Sequence, residues 1–298
     1  MGAPRSGTTW VGHALERAPG VMYVHEPDND TLHPLAVFGV RNVGHVATLE
    51  PSQLAPAYEA LWRLGYAGGW PTWSKRRAGV VVARTVPPAV GRVLTRLLAA
   101  TTARGSDSAR TVVVKTVRAD FAIEWLVERF QPRVVVVLRN PLNMLGSWLE
   151  RGWGAHTLLD SEPVRTRFEP CGLWPPPPLS SAVENAMWAV CARSIMLREA
   201  ANRHPDWVVV EHEILCSDPI PQFQRLVGAI GLQWSEAIES YLHESNRPGT
   251  SWEVQRVASE EVERWRTRLT PAQQMAAHSI LKAFARAEGN PSTLEATS

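Results

Sequence analysis

The sequence predicts an α/β fold, a doubly wound parallel sheet flanked by helices, as a single domain over residues 1–298. Three observations carry this. Short unbroken valine runs recur along the chain, as strands buried on both faces of a parallel sheet require. Longer stretches with helical spacing alternate with them, the order expected of right-handed βαβ crossovers. A loop bounded by Gly2 and Gly7 opens the first helix, the position from which such folds grip anions.

The strand candidates are Val21–Val24, Val80–Ala83, Val112–Val114, Val134–Leu138 and Trp207–Val210. The first helix, Thr8–Ala18, places Val11, Ala14, Leu15 and Ala18 on one face and stops at Pro19-Gly20. Further helices are expected at Ala122–Phe130, Leu142–Arg151, Ser180–Arg203, Pro221–Ile230 and Pro271–Ala287. Residues 28–110 and 152–179 look irregular, the second with an extended Pro175–Pro178 run. Residues 290–298 read as a frayed tail.

The 298 residues are 45% apolar, enough for a sizeable core. A formal net charge of +2 argues against bulk nucleic-acid binding, so a polyanionic ligand must meet a local basic site. Cys171, Cys191 and Cys216 form neither a disulfide framework nor a zinc pattern, which points to a reduced, cytoplasmic setting. No apolar run reaches bilayer length and no signal-peptide pattern opens the chain, so no membrane partner is expected. The 13 tryptophans are mostly core residues on this reading, with some left for a pocket.

Gly2-Ala-Pro-Arg-Ser-Gly7-Thr8-Thr9 lets backbone N–H groups converge on an anion at a helix start. It nearly matches the nucleotide-triphosphate loop GxxxxGK[ST], but Thr8 stands where lysine should be. That argues against a kinase or ATPase and suits one 5′-phosphate and its substituent, with Arg5 supplying charge. Taken alone, the loop also describes an ordinary N-cap by Ser6 or Thr8. Only three residues precede Pro4, whereas a phosphate loop hangs from a buried strand; the polypeptide is expected to begin further upstream.

A second anion site is expected after Val134–Leu138. Arg139 sits at the carboxyl end of that strand, where α/β folds bind ligands, and Ser147 follows two helical turns later on the same side. Together they suit a phosphate held by charge-assisted bonds. Alone, Arg139 equally suits capping a carbonyl or a surface ion pair.

These stretches resemble the 3′-phosphoadenosine 5′-phosphosulfate (PAPS)-dependent sulfotransferases. Pro4–Trp10, PRSGTTW, resembles the family's 5′-phosphosulfate loop, and Val134–Ser147, VVVVLRNPLNMLGS, its 3′-phosphate motif. Trp207–Pro219, then Phe223–Leu232, and Trp265–Pro271 are similar to later family segments, in the right order. The resemblance implies a P-loop-like sulfotransferase fold with PAPS as co-substrate, no metal, and a small-molecule or glycoside acceptor. It implies that Arg5, Ser6, Gly7, Thr8 and Thr9 hold the 5′-phosphosulfate, that Trp10 packs the loop helix, and that Arg139 and Ser147 hold the 3′-phosphate. Arg256 is the candidate for the C-terminal basic residue that closes on that phosphate.

Transfer to a hydroxyl needs a base and positive charge on the departing phosphate. Where the family's cytosolic branch has Lys-Thr-His, this chain has Lys115-Thr116-Val117, so Lys115 is kept and the histidine is not. Glu26, after the strand in VMYVHEP, resembles the base of carbohydrate and bacterial sulfotransferases; its plain alternative is a turn cap before Pro27. Strand alternation sets His25 and Glu26 on opposite faces, so only one aims at a pocket; His25 and His13 read as packed or surface residues. Loops around Trp62–Trp73 and Trp153–Trp174 offer aromatic platforms for an acceptor or simple packing. The rivals are a P-loop nucleotide kinase or NTPase, and a non-catalytic module that binds PAPS or its bisphosphate product.

Overall fold

The computed structural model describes residues 1–68, 77–102, 111–248 and 257–288. Arg256 and the 290–298 tail lie outside them. The chain is α/β and groups into two compact units. The first comprises Met1, Thr8–Pro132 and Gly231–Tyr241; the second comprises Gly2–Gly7, Arg133–Ile230 and Leu242–Ser298.

In the first unit the order is α1 (Thr8–Glu16), β1 (Val21–His25), α2 (Pro34–Gly39), α3 (Pro56–Tyr66), α4 (Arg77–Thr85), α5 (Pro88–Thr102), β2 (Thr111–Lys115) and α6 (Ile123–Phe130). Strands β1 and β2 pair in parallel, from Val21 opposite Thr111 to His25 opposite Lys115. Both expected strands are therefore present, and their carboxyl ends lie side by side. Helix α1 packs on β1 at Gly12, where a Cβ would sit 2.6 Å from the Tyr23 ring.

Two expectations fail in this unit. Val80–Ala83 is helical, not a strand, because it lies within α4. Val80 and Ala83 point inward while Val81 and Val82 face water, a helical pattern that four residues of sequence cannot announce. The stretch 28–110 is not irregular, since α2 to α5 lie in it. Pro34 and Pro56 sit in the first turns of α2 and α3, where a missing N–H costs nothing.

Around these helices lies an apolar core that includes Leu35, Phe38, Tyr58, Leu61, Trp62, Leu64, Trp125 and Leu126. Trp125 is fully buried, donates its indole N–H to the Gln53 carbonyl at 2.9 Å, and lies 4.2 Å from the Arg129 guanidinium. Trp125→Ala is expected to destabilise the chain by about 3–5 kcal/mol, because it opens a cavity and removes a buried donor. A urea titration followed by far-UV circular dichroism checks this. A loss under about 1 kcal/mol would contradict the burial.

In the second unit the order is β3 (Val135–Leu138), α7 (Pro141–Leu149), a 3₁₀ turn (Ala155–Thr157), α8 (Glu162–Phe168), α9 (Ala182–Arg203), β4 (Val208–Glu211), α10 (His212–Ser217) and α11 (Pro219–Ala229). After α12 (Glu236–Ser245), which the two units share, come α13 (Ala258–Glu261), α14 (Trp265–Arg268) and α15 (Pro271–Ala287). Strands β3 and β4 are parallel, Val135 opposite Val208 and Leu138 opposite Glu211. Among the described residues the strands thus form two parallel pairs rather than one continuous sheet.

Helix α9 is buried along most of its length. Trp188 on it meets Phe168 and Phe284 edge to face, with centroids 5.6 and 6.0 Å away. The region 152–179 contains α8, capped by the Ser161 hydroxyl, so it too is less irregular than its sequence suggests. Among the described residues no helix is long and apolar enough to cross a membrane.

Candidate functional site

The second unit joins the two predicted phosphate motifs. Arg5 donates from Nε to Ser147 Oγ at 2.8 Å, across 142 residues of sequence. Arg139, just past the end of β3, donates from Nη1 to the Arg5 carbonyl at 2.9 Å. Trp148 ties down the same loop by donating its indole N–H to the Pro4 carbonyl at 3.0 Å. Arg5 has φ 75°, a left-handed conformation that few side-chain-bearing residues adopt and that this web of contacts holds in place.

The cradle is rich in donors. Ser147, buried on α7, also accepts from Arg151 Nη1 at 2.7 Å. Its oxygen thus receives two guanidinium N–H groups, and its own proton is left to donate. Ser6 Oγ is buried without a hydrogen-bond partner, and so is Arg139 Nε. Gly7, at φ 89°, lies against the His212 ring; a Cβ there would fall 2.0 Å from His212 Cδ2. Only glycine fits that turn.

Two carboxylates answer this positive charge. Glu261 Oε2 accepts from Arg139 Nη2 at 2.7 Å, and Glu213 Oε1 lies 4.0 Å from Arg139 Nε. Burial favours the neutral Glu261 acid, but Arg139 and Arg264 outweigh it and hold the carboxyl below its ordinary range. Glu213 Oε1 also accepts from the Asn140 backbone at 3.1 Å and the Asn143 amide at 2.9 Å, which fixes the turn from Arg139 into α7. The Asn140 side chain caps α7 by accepting from Leu142 N at 2.9 Å.

Arg139 therefore does what its plain reading allows: it caps a carbonyl and forms an ion pair. The carbonyl, however, is that of Arg5, in the loop expected from the sequence to bind a phosphate. Arg151, Glu213 and Glu261 were not singled out in the sequence; only Arg151, four residues past Ser147, carried a helical-spacing signal.

The first unit holds the other candidates. Thr8 is buried and Thr9 half-buried at the start of α1, and Trp10 packs inward as expected. Glu26 follows β1, and its backbone N–H donates to the Lys115 carbonyl at 2.7 Å. Lys115 Nζ donates to Glu26 Oε1, and Asn29 Nδ2 donates to Oε2 at 2.5 Å. Burial pushes the Glu26 acid up, but the Lys115 charge, His25 and these two bonds win and bring it down to about 2.

Strand alternation fails at Glu26. Its φ of 46° is left-handed, so the chain leaves the pleat there, and His25 Nε2 comes within 3.8 Å of Glu26 Oε1. His25 also shares a 2.9 Å hydrogen bond with the Tyr23 hydroxyl through Nδ1. Burial and Lys115 bring His25 down to about 4, so it is neutral at neutral pH.

Asp28, which the sequence reading passed over, anchors the segment after Lys115. It accepts from the Thr116 hydroxyl at 2.8 and 3.0 Å. Burial is the main cause that raises its carboxyl to about 6. The native state therefore binds a proton that the unfolded chain has already released between pH 4 and 6. Stability from this group is full below about pH 4 and is lost as pH rises through 6. Asp28→Asn keeps an acceptor for Thr116 and abolishes that loss. It is expected to stabilise the chain at pH 7 by about 1–3 kcal/mol relative to pH 4, read from urea titrations at both pH values.

Trp62, offered above as a platform for an acceptor, is fully buried and packs instead; Trp153 is partly exposed. Among the described residues no cluster of three His, Cys, Asp or Glu side chains is arranged to hold a metal ion.

No family model matches the sequence, and no curated protein matches it. A solved structure that resembles the chain is the sulfotransferase domain from the Synechococcus PCC 7002 olefin synthase. It is 16% identical, with a TM-score of 0.47, over 95% of this chain and 92% of that one. At that distance the likeness assigns no residue a role.

Proposed function

We propose that the chain is a sulfotransferase that uses PAPS as donor and a hydroxyl or amine of a small molecule or glycoside as acceptor. The observation that carries this is the meeting of Arg5, Ser147 and Arg139 in one cradle. Two orphaned buried polar atoms, Ser6 Oγ and Arg139 Nε, and the two-donor environment of Ser147 fit a phosphate-bearing ligand.

When bound, PAPS supplies an activated sulfuryl group on a phosphate leaving group. Arg139 and Ser147 bind the 3′-phosphate, Ser147 by donating its free proton. Arg5, Ser6 and the Gly7 turn bind the 5′-phosphate, with Thr8 and Thr9 following. Glu26 takes the acceptor's proton, while Arg5 and Lys115 neutralise charge that develops on the sulfuryl and bridging oxygens as the 3′,5′-bisphosphate leaves. Lys115 leaves Glu26 to do so, and Glu26 then regains basicity, because its partner's charge is what depresses it. Asn29 and the left-handed turn keep the carboxylate oriented. Arg256 remains a candidate for the 3′-phosphate by resemblance alone.

The test is transfer of labelled sulfate from PAPS to metabolites of a host extract, with a mass gain of one SO₃ unit on the acceptor. Calorimetry with the 3′,5′-bisphosphate should show binding without magnesium. Magnesium-dependent ATP turnover would favour the kinase reading, and bisphosphate binding with no sulfated product would favour the non-catalytic module.

A further inference from the structure

Helix α5 is amphipathic in the wrong sense for a helix with only one neighbouring layer. Its inward positions are small: Gly91 lies against Phe38, where a Cβ would fall 2.1 Å from the ring, and Thr95 is fully buried with its hydroxyl donating to the Gly91 carbonyl at 2.9 Å. Its larger apolar residues face water. Val90, Val93 and Leu94 form an i, i+3, i+4 row, and Leu97 continues it at i+7. Helix α4 adds Val81 and Val82. The four valines are 55–65% exposed and Leu94 is 43% exposed. A row with this spacing is what a helix ordinarily buries, and such a row left in water marks a surface that something else covers.

Charge says what covers it. Helices α4 and α5 carry four cationic residues, Arg77, Arg84, Arg92 and Arg96, and no Asp or Glu. The whole chain has 31 Lys and Arg against 29 Asp and Glu, so these two helices are markedly basic within a nearly neutral sequence. Arg84 and Arg96 are exposed on α4 and α5 beside the apolar residues.

We propose that the exposed apolar sides of α4 and α5 dock on an anionic lipid surface. Their valines and leucines enter the interface and their arginines meet the headgroups. A second copy of the chain is disfavoured, because a two-fold contact would set Arg96 and Arg84 against their own like charges. A single partner helix is disfavoured by α4, where Val81 and Val82 are consecutive and so point about 100° apart; a fluid apolar medium takes both, a seam takes one. Basic amphipathic helices with four to eight cations have the composition that anionic bilayers attract. This departs from the sequence expectation of no membrane partner, and it concerns attachment to a surface rather than a span.

The experiment is sedimentation of the full chain with vesicles of equal parts phosphatidylglycerol and phosphatidylcholine, beside vesicles of phosphatidylcholine alone. Binding is expected to the anionic vesicles only, and to fall at about 1 M salt, where charges screen within about 3 Å. Val93→Glu with Leu94→Glu is expected to abolish it, and Arg84→Glu with Arg96→Glu to weaken it by about tenfold or more. All four residues are exposed, so the thermal midpoint should hold and separate a lost surface from a lost fold. Sulfuryl transfer to a water-soluble acceptor should be unaffected by either pair, which separates this proposal from the one above. Equal binding to both vesicle types, binding to neither, or binding that both variant pairs retain would overturn it. So would self-association, or capture of an acidic amphipathic peptide, that the same variants abolish while vesicle binding stays absent.

Discussion

Glu26→Gln is expected to lower kcat by about 10²–10⁴-fold, the usual contribution of a positioned general base. Glutamine keeps the shape and an acceptor oxygen, so Asn29 can still donate to it. What is lost is the capacity to take a proton. The substitution also leaves Lys115, now without its carboxylate, buried, so stability has to be followed beside activity. Bisphosphate binding, to which Glu26 is not assigned, is the control and should be unchanged. The pH profile separates the two nearby carboxyls. Glu26 stands at about 2 and Asp28 at about 6 in this structure. With Glu26 as base, kcat/KM stays level from pH 7 down past 5. A limb near pH 6 that vanishes in Asp28→Asn would transfer the role to Asp28. Full turnover in Glu26→Gln would end the assignment outright.

Arg139→Ala is expected to weaken binding of the 3′,5′-bisphosphate by about 30- to 5,000-fold, since truncating one partner of a buried charged contact costs roughly 2–5 kcal/mol. Adenosine 5′-monophosphate, which has no 3′-phosphate, should lose far less. That ligand comparison matters because Arg139 also supports the loop through the Arg5 carbonyl and pairs with Glu261. A general collapse of the loop would weaken both nucleotides equally and would contradict the 3′-phosphate assignment. Arg139→Lys keeps the charge but not the fork, and should recover only part of the loss.

The phosphate loop, Arg139 and Ser147 were legible because each belongs to a short pattern that combines strand, turn and helix start. Their meeting was legible only through the family resemblance, since 142 residues separate Arg5 from Ser147. The helices of 28–110 were hidden by their prolines, which read as breakers yet occupy first-turn positions in α2 and α3. Val80–Ala83 misled because four β-branched or small residues fit strand and helix alike, and packing decides. The approach of His25 to Glu26 could not be foreseen, as it depends on one left-handed residue that breaks the two-residue period. Asp28, Arg151, Glu213 and Glu261 take their meaning from partners that tertiary structure selects. Arg256 lies outside the described residues, and its role stays an expectation.

The carboxylate of Glu261 on Arg139 bears on how quickly such an enzyme could cycle. On the proposed function an incoming dianion does not meet a bare cation; it displaces a resident counter-ion, so its affinity reflects the surplus of one attraction over another. The same carboxylate then retakes the guanidinium as spent nucleotide departs, so each turnover exchanges one ion pair for another.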